Sequence, residues 1–156
     1  MRSHVPTLRL LTLLAGVLAT TACEVSGSIG VPRHPHPWVP SRPGTGAGLN
    51  APVVGLSSDG LGFAVHARDF SSDQTYGPTV YTPGLEVGVA LWGYSGGAAT
   101  LEVRDAGGRV VLTQRLSSNI AQGNAAARGA PPFTIRLTFE HFSGDLSLGV
   151  GSSGDP

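Results

Sequence analysis

One cysteine, five histidines and a thin scatter of acids hold most of the reactive chemistry this sequence offers. Cys23 is the single thiol, and a thiol is a nucleophile once deprotonated. His66 precedes Asp69, and His141 lies between Glu140 and Asp145, so each has an acid near enough in the chain to orient it as a general base. A hydrolase would add a serine, but none sits in a GxSxG elbow. The plainer reading puts His66 on the solvent face of a strand and His141 in a turn. Asp69 and Asp73, in ARDFSSDQTYG, offer carboxylates for calcium, which takes oxygens from flexible loops. No DxDxDG loop is present, and solvated turn acids are the alternative. His34 and His36 flank Pro35 just before Trp38, a grouping open to metal binding or to docking of a partner. With no Cys or acid beside them they are too few for a closed metal site, and a plain linker explains them as well. Trp92 and Tyr94, in LWGYSGG, are candidates for binding: an exposed indole stacks on a sugar ring or a partner surface, whereas a buried one packs over a sheet edge. We therefore assign no catalytic residue, no metal and no cofactor, and expect no enzyme.

Composition narrows the partners. Every basic residue other than His is Arg, so neither a Schiff-base lysine nor a phosphate-loop lysine exists. Ten Arg balance ten acids, leaving no field to gather nucleic acid or an anionic surface. Charged residues make up only 13% while Gly and Pro number 23 and 12, a balance that favours turns and short strands over long helices.

The elements around these residues fall into three parts. Residues 1–22 read as a leader. Arg2 and Arg9 carry positive charge with no acid nearby, and the apolar stretch from Leu10 to Ala22 is about 13 residues, short of the roughly 20 a helix needs to cross a bilayer. Small residues and the cysteine follow as Thr20-Thr21-Ala22-Cys23. This stretch resembles the lipobox of bacterial lipoproteins, with Thr20 standing where that family usually has Leu. The resemblance implies a diacylglyceryl thioether on Cys23, cleavage between Ala22 and Cys23, and acylation of the new amino group, with fatty acids such as palmitate. Its partner is then the lipid bilayer. Two or more chains hold a protein stably where one does not. Glu24 follows Cys23 where an inner-membrane protein of this family commonly has Asp, which implies the outer membrane. Ordinary secretory cleavage nearby and a structural cysteine are the other readings of Cys23.

Residues 23–50 form a tether. Pro32, Pro35, Pro37, Pro40 and Pro43 favour extended polyproline geometry, the interspersed Gly loosen it, and no apolar periodicity survives, so this part is expected to be disordered. From residue 51 to 156 the period changes to two. Leu61, Phe63, Val65 and Ala67 share one face; so do Leu85, Val87, Val89 and Leu91; then Ala99, Leu101 and Val103; then Phe133, Ile135, Leu137 and Phe139; and finally Leu146, Leu148 and Val150. Asp105-Ala106-Gly107-Gly108 reads as the turn of a hairpin between ATLEVR and RVVLTQRL. With a short start at Ala51–Ser57 and a possible strand at Thr79–Thr82, the spacing predicts an all-β fold: an antiparallel β-sandwich of seven or eight strands, a barrel being the alternative. Ser117–Pro132 is expected to be a long loop. The segment TLEVRDAGGRVVLTQRL is similar to hairpins of immunoglobulin-like modules in secreted bacterial proteins.

Together these readings lead to a cell-envelope lipoprotein whose β-sandwich binds or scaffolds, its partner an envelope protein or a glycan. The alternatives are a carbohydrate-binding or adhesion module using Trp92 and Tyr94, and a small secreted hydrolase.

Overall fold

A computed structural model of the chain describes residues 48–153. The leader, Cys23, the tether up to residue 47, and with it His34, His36 and Trp38, lie outside the described residues.

The described part is all-β and antiparallel. Its strands are β1 (Val53–Leu56), β2 (Gly60–Thr79), β3 (Gly84–Arg104), β4 (Val110–Leu116), β5 (Ile120–Arg128) and β6 (Phe133–Ser152). They form one sheet in the order β1-β2-β6-β3-β4, with β5 also on β3. The two short partners divide one side of β3 between them. β5 pairs with its first part, from Gly84↔Arg128 to Leu91↔Ile120, and β4 with its last part, from Ala99↔Leu116 to Arg104↔Val110. On its other side β3 pairs with β6, and β6 pairs in turn with β2.

The strand number differs from the seven or eight expected: the described residues hold six. LEVGVALW and ATLEVR are two parts of β3, FTIRLTFE and LSLGV two parts of β6, and LGFAVHAR continues through Thr79 as β2. The glycine- and serine-rich segments between them are bulges, not turns. Register shifts fall between Ala67 and Ser72 in β2 and between Trp92 and Ala98 in β3, and Asp69, His141, Gly93 and Gly97 take left-handed backbone conformations there. A bulge bends a strand and sharpens its twist while the pairing resumes beyond it. Thr79 ends β2 and Val80, at φ 51°, leaves it, so Thr79–Thr82 is no separate strand. The expected loop Ser117–Pro132 contains β5, a strand of Ala, Gly, Asn and Gln. Such residues show little apolar contrast to read as alternation.

How far the strands bend is shown by their aromatic rings. Phe63 and Tyr76 belong to the same strand and would stand roughly 40 Å apart if it ran straight at about 3.3 Å per residue. Their ring centroids are 6.1 Å apart. Phe139 of β6 stacks on Phe63 at 5.7 Å, and also meets Phe70 at 5.1 Å and Phe142 at 5.6 Å. Residues from both ends of the three long strands therefore enter one core, which the period-two positions fill: Leu61, Val65, Leu85, Val89, Leu101, Ile135, Leu137, Leu146 and Leu148 are all buried.

The β3–β4 hairpin has the turn its sequence predicts. The Asp105 amide donates to the Arg109 carbonyl at 2.9 Å. One Asp105 carboxylate oxygen accepts the amides of Gly107 and Arg109 at 3.1 and 3.0 Å, and the other accepts Arg109 Nε at 3.2 Å. Burial pushes the Asp105 carboxyl up, but the Arg109 amide, charge and side chain, with the Gly107 amide, outweigh it and hold the pKa below its ordinary value.

Gly97 shows what the bends demand. Its φ is +75°, and a Cβ there would stand 2.2 Å from the His141 carbonyl oxygen, whereas one on neighbouring Gly96 would have nothing within 4 Å. An L-residue in this conformation costs about 1–2 kcal/mol before the overlap is counted. Gly97→Ala is expected to lose at least about 2 kcal/mol and roughly 10 °C in Tm, and Gly96→Ala to melt close to the wild type, as read by circular dichroism. Coincident melts for the two variants would contradict this account of the bend.

Candidate functional site

The bends gather the chemistry-bearing side chains on adjacent strands. In β2 and β6, His66 lies opposite Asp145, and in β3 Trp92 lies opposite the same Asp145. Directly opposed residues point to the same face of a sheet, so His66, Asp145 and Trp92 form one row across three strands. It is the outer face: neighbouring Leu91 and Leu146 are fully buried, while Trp92 and Asp145 are partly exposed and His66 is exposed. The alternation that set Trp92 opposite Leu91 holds.

Long-range pairing, not sequence proximity, chooses each histidine's acid. His66 Nδ1 is 2.5 Å from Asp145 Oδ1, and His141 Nδ1 is 2.7 Å from Asp69 Oδ1. The partners expected from spacing are thus exchanged, His66 taking the acid near His141 and the reverse. An ionised carboxylate can only accept, so in each pair Nδ1 carries the hydrogen, and Nε2 is left without a partner among the described residues. The His141 pair is open to water, with side-chain exposures of 82% and 75%; in the His66 pair Asp145 is sheltered, at 19%. The serines nearby support the bulge. Ser143 Oγ accepts the Asp69 amide and Ser71 Oγ accepts the His141 amide, at 2.9 and 3.0 Å. Among the described residues no serine bonds to either imidazole.

Asp69 and Asp73, weighed for calcium, are engaged separately. Asp73 takes a bidentate ion pair from Arg136, with Nε–Oδ1 2.8 Å and Nη2–Oδ2 2.5 Å, and accepts Thr138 Oγ1 at 3.4 Å. The Arg136 hydrogen bond lowers the Asp73 carboxyl, burial opposes it, and the Arg136 charge with the Thr138 hydrogen bond leaves the carboxyl below its ordinary value. Among the described residues no three or more His, Cys, Asp and Glu side chains come together as a metal-binding group.

Trp92 and Tyr94 occupy different settings. Tyr94 packs on the core, its ring 6.4 Å from Phe142, and its hydroxyl donates to the Gly97 carbonyl at 2.7 Å. The left-handed Gly93 between the two residues turns the chain so that Tyr94 closes the bend while Trp92 stays in the outer row. The sequence shows both aromatics. It gives no sign of the Asp145 that joins Trp92 to His66.

No family model matches the chain, and no curated protein does. Among solved structures the chain is similar to the glycosylation associate protein (Gap123) complex from Streptococcus agalactiae, at 8% identity and a TM-score of 0.29, over 67% of this chain. The chain spans 40% of the length of that one. A superposition of that quality establishes neither fold nor function.

The two lowered carboxyls set the acid limb of stability. A carboxyl whose pKa is lower in the folded than in the unfolded chain stabilises fully above the ordinary value of 3.8 and loses that contribution as pH falls through the folded value. In denaturant titrations run between about pH 6 and pH 2, Asp73→Asn and Asp105→Asn are each expected to lower the midpoint at the neutral end and to flatten its fall on the acid side. A variant whose curve runs parallel to the wild type over the whole range would show that the pair does not act on folding.

Proposed function

We propose that the chain is a lipid-anchored protein of the bacterial cell envelope, held at the outer membrane by acylated Cys23, whose strand-built module binds or scaffolds and is not an enzyme. The observation that carries the reading is LTLLAGVLATTAC: a charged start, an apolar stretch too short to span, small residues and one cysteine, placed ahead of a Pro/Gly-rich tether and a folded module. The thiol is the one atom of the sequence suited to thioether formation, and two or more acyl chains suffice as an anchor.

We read the folded sheet as a β-sandwich, because the two ends of β2 bring Phe63 and Tyr76 into ring contact and share one core. Binding is favoured over hydrolysis because His66 and His141 are exposed, and the serines beside Asp69 and His141 serve the backbone instead of either imidazole. The second reading, a carbohydrate-binding or adhesion module, draws on the partly exposed Trp92.

Expression of the wild type and Cys23→Ala in a bacterial host, followed by fractionation and mass measurement of the mature amino terminus, tests the anchor. The wild type is expected in the membrane fraction carrying acyl chains on Cys23, and the variant in the soluble or uncleaved pool. A wild-type product that is soluble with an unmodified thiol refutes the reading.

A further inference from the structure

We propose that Trp92, Asp145 and His66 form a binding site for a neutral pyranose ring of a polysaccharide. The proposal deepens the binding role given above and rests on that role, not on the lipid at Cys23.

The row supplies the three kinds of contact a sugar needs. A pyranose has an apolar C–H face, which stacks on an aromatic ring, and a rim of hydroxyls, which needs acceptors and donors at fixed positions. Trp92 is only partly buried, and its indole N–H has no hydrogen-bond partner among the described residues. Asp145 Oδ1 is occupied by His66, while Oδ2 makes no hydrogen bond among them. Gly93 helps keep that oxygen open: a Cβ on this residue, exposed and at φ +57°, would stand 4.0 Å from Oδ2, so any longer side chain would begin beside it. His66 Nε2 is the third group, without a partner among the described residues and aimed away from the Asp145 bond.

Three adjacent strands at about 4.8 Å spacing place the imidazole and the indole roughly 10 Å apart at their backbones, with the carboxylate between them. A ring lying against the indole has one hydroxyl to donate to Asp145 Oδ2 and a neighbouring one to hydrogen-bond with His66 Nε2, while the indole N–H donates to a ring or glycosidic oxygen. The 2.5 Å bond to His66 fixes the carboxylate before any ligand arrives, so little ordering is required on binding. The charge of the site selects the class of sugar. An unneutralised carboxylate oxygen repels uronic acids and sulfated or phosphorylated sugars, and the protein's zero net charge at pH 7 supplies no opposing attraction.

Tyr94 takes no part, since its hydroxyl and ring are committed to Gly97 and Phe142.

The test uses the full chain, purified in detergent with Trp38→Phe, so that Trp92 is the one remaining tryptophan of two. Its emission is followed while soluble malto-, cello-, xylo- and chito-oligosaccharides are added to about 10 mM, with oligogalacturonate as the anionic comparison. At least one neutral series is expected to give a saturable change, oligogalacturonate none, and Asp145→Asn or His66→Gln an affinity at least tenfold weaker. His66 is the safer variant for folding, its side chain being 55% exposed, and a circular dichroism melt shows whether Asp145→Asn keeps the fold. The proposal is overturned by silence with every neutral series, by equal binding of galacturonate, or by affinity unchanged in both variants. Capture of an envelope protein through Trp92 with all glycans silent overturns it too. Because the readout is Trp92 itself, failure here leaves the anchor at Cys23 untouched, and failure of the anchor leaves this result standing.

Discussion

β6 must stay hydrogen-bonded to β2 on one side and β3 on the other while all three strands turn back over one core. A buried backbone amide or carbonyl left unpaired costs as much as a lost hydrogen bond, so a strand flanked on both sides cannot simply break at the corner. The chain meets that demand with bulges. Pairing is interrupted near Ala67 to Ser72 in β2 and near Trp92 to Ala98 in β3, and it resumes beyond each, shifted by one residue between β3 and β6. Left-handed backbone at Asp69, His141, Gly93 and Gly97 takes up the change of direction, and side chains occupy the groups set free: Ser143 receives the Asp69 amide, Ser71 the His141 amide and Asn119 the Tyr94 amide. Two of these left-handed positions are not glycine. These two, Asp69 and His141, bond to one another across the same corner.

Inside and outside the corner obey different chemistry. On the inner side Phe139 meets the rings of Phe63, Phe142 and the partly buried Phe70, and fully burying a side chain such as Phe63 or Phe142 is worth about 1.5–3 kcal/mol. On the outer side sit the two His–Asp pairs and, further along β2 and β6, the Asp73–Arg136 fork. Exposed ion pairs contribute little by themselves, so the aromatic cluster holds the bend and the polar pairs set the direction in which side chains leave it. The row of Trp92, Asp145 and His66 is a by-product of that arrangement, built from positions the corner already fixes.

The period-two pattern revealed which residues face the core: Phe133, Ile135, Leu137 and Leu85, Val87, Val89, Leu91 alternate in the sequence and are buried in the structure. The Asp105–Gly108 turn was equally legible, because an Asp followed by two glycines has few other uses between alternating segments. Strand continuity was not. Gly-rich stretches such as GYSGG mark a turn and a bulge with the same letters, and only the neighbouring strand decides which is formed. β5 escaped notice because Ala-Gln-Gly-Asn-Ala-Ala-Ala has no hydrophobic alternation; it is a strand because β3 offers it an edge. The histidine pairings escaped for a related reason. His66 and Asp145 are separated by 79 positions, and nothing local to either encodes the register that joins them.

Anchoring and weak recognition suit one another physically. A shallow row of three side chains cannot enclose a ligand, so most of a bound ring stays in water and the affinity of one site is low. Fixing many copies to a surface changes that arithmetic, because once one copy engages a repetitive polymer the neighbours bind at a high effective concentration set by the tether. In the proposed reading, the Pro- and Gly-rich composition of residues 23–50 would serve as the spacer between anchor and module. A rigid module then has an advantage over an adaptable one. With the corner fixed by paired strands and packed rings, each copy meets the polymer without ordering itself first, and the free energy of each weak contact goes into binding rather than into folding the site.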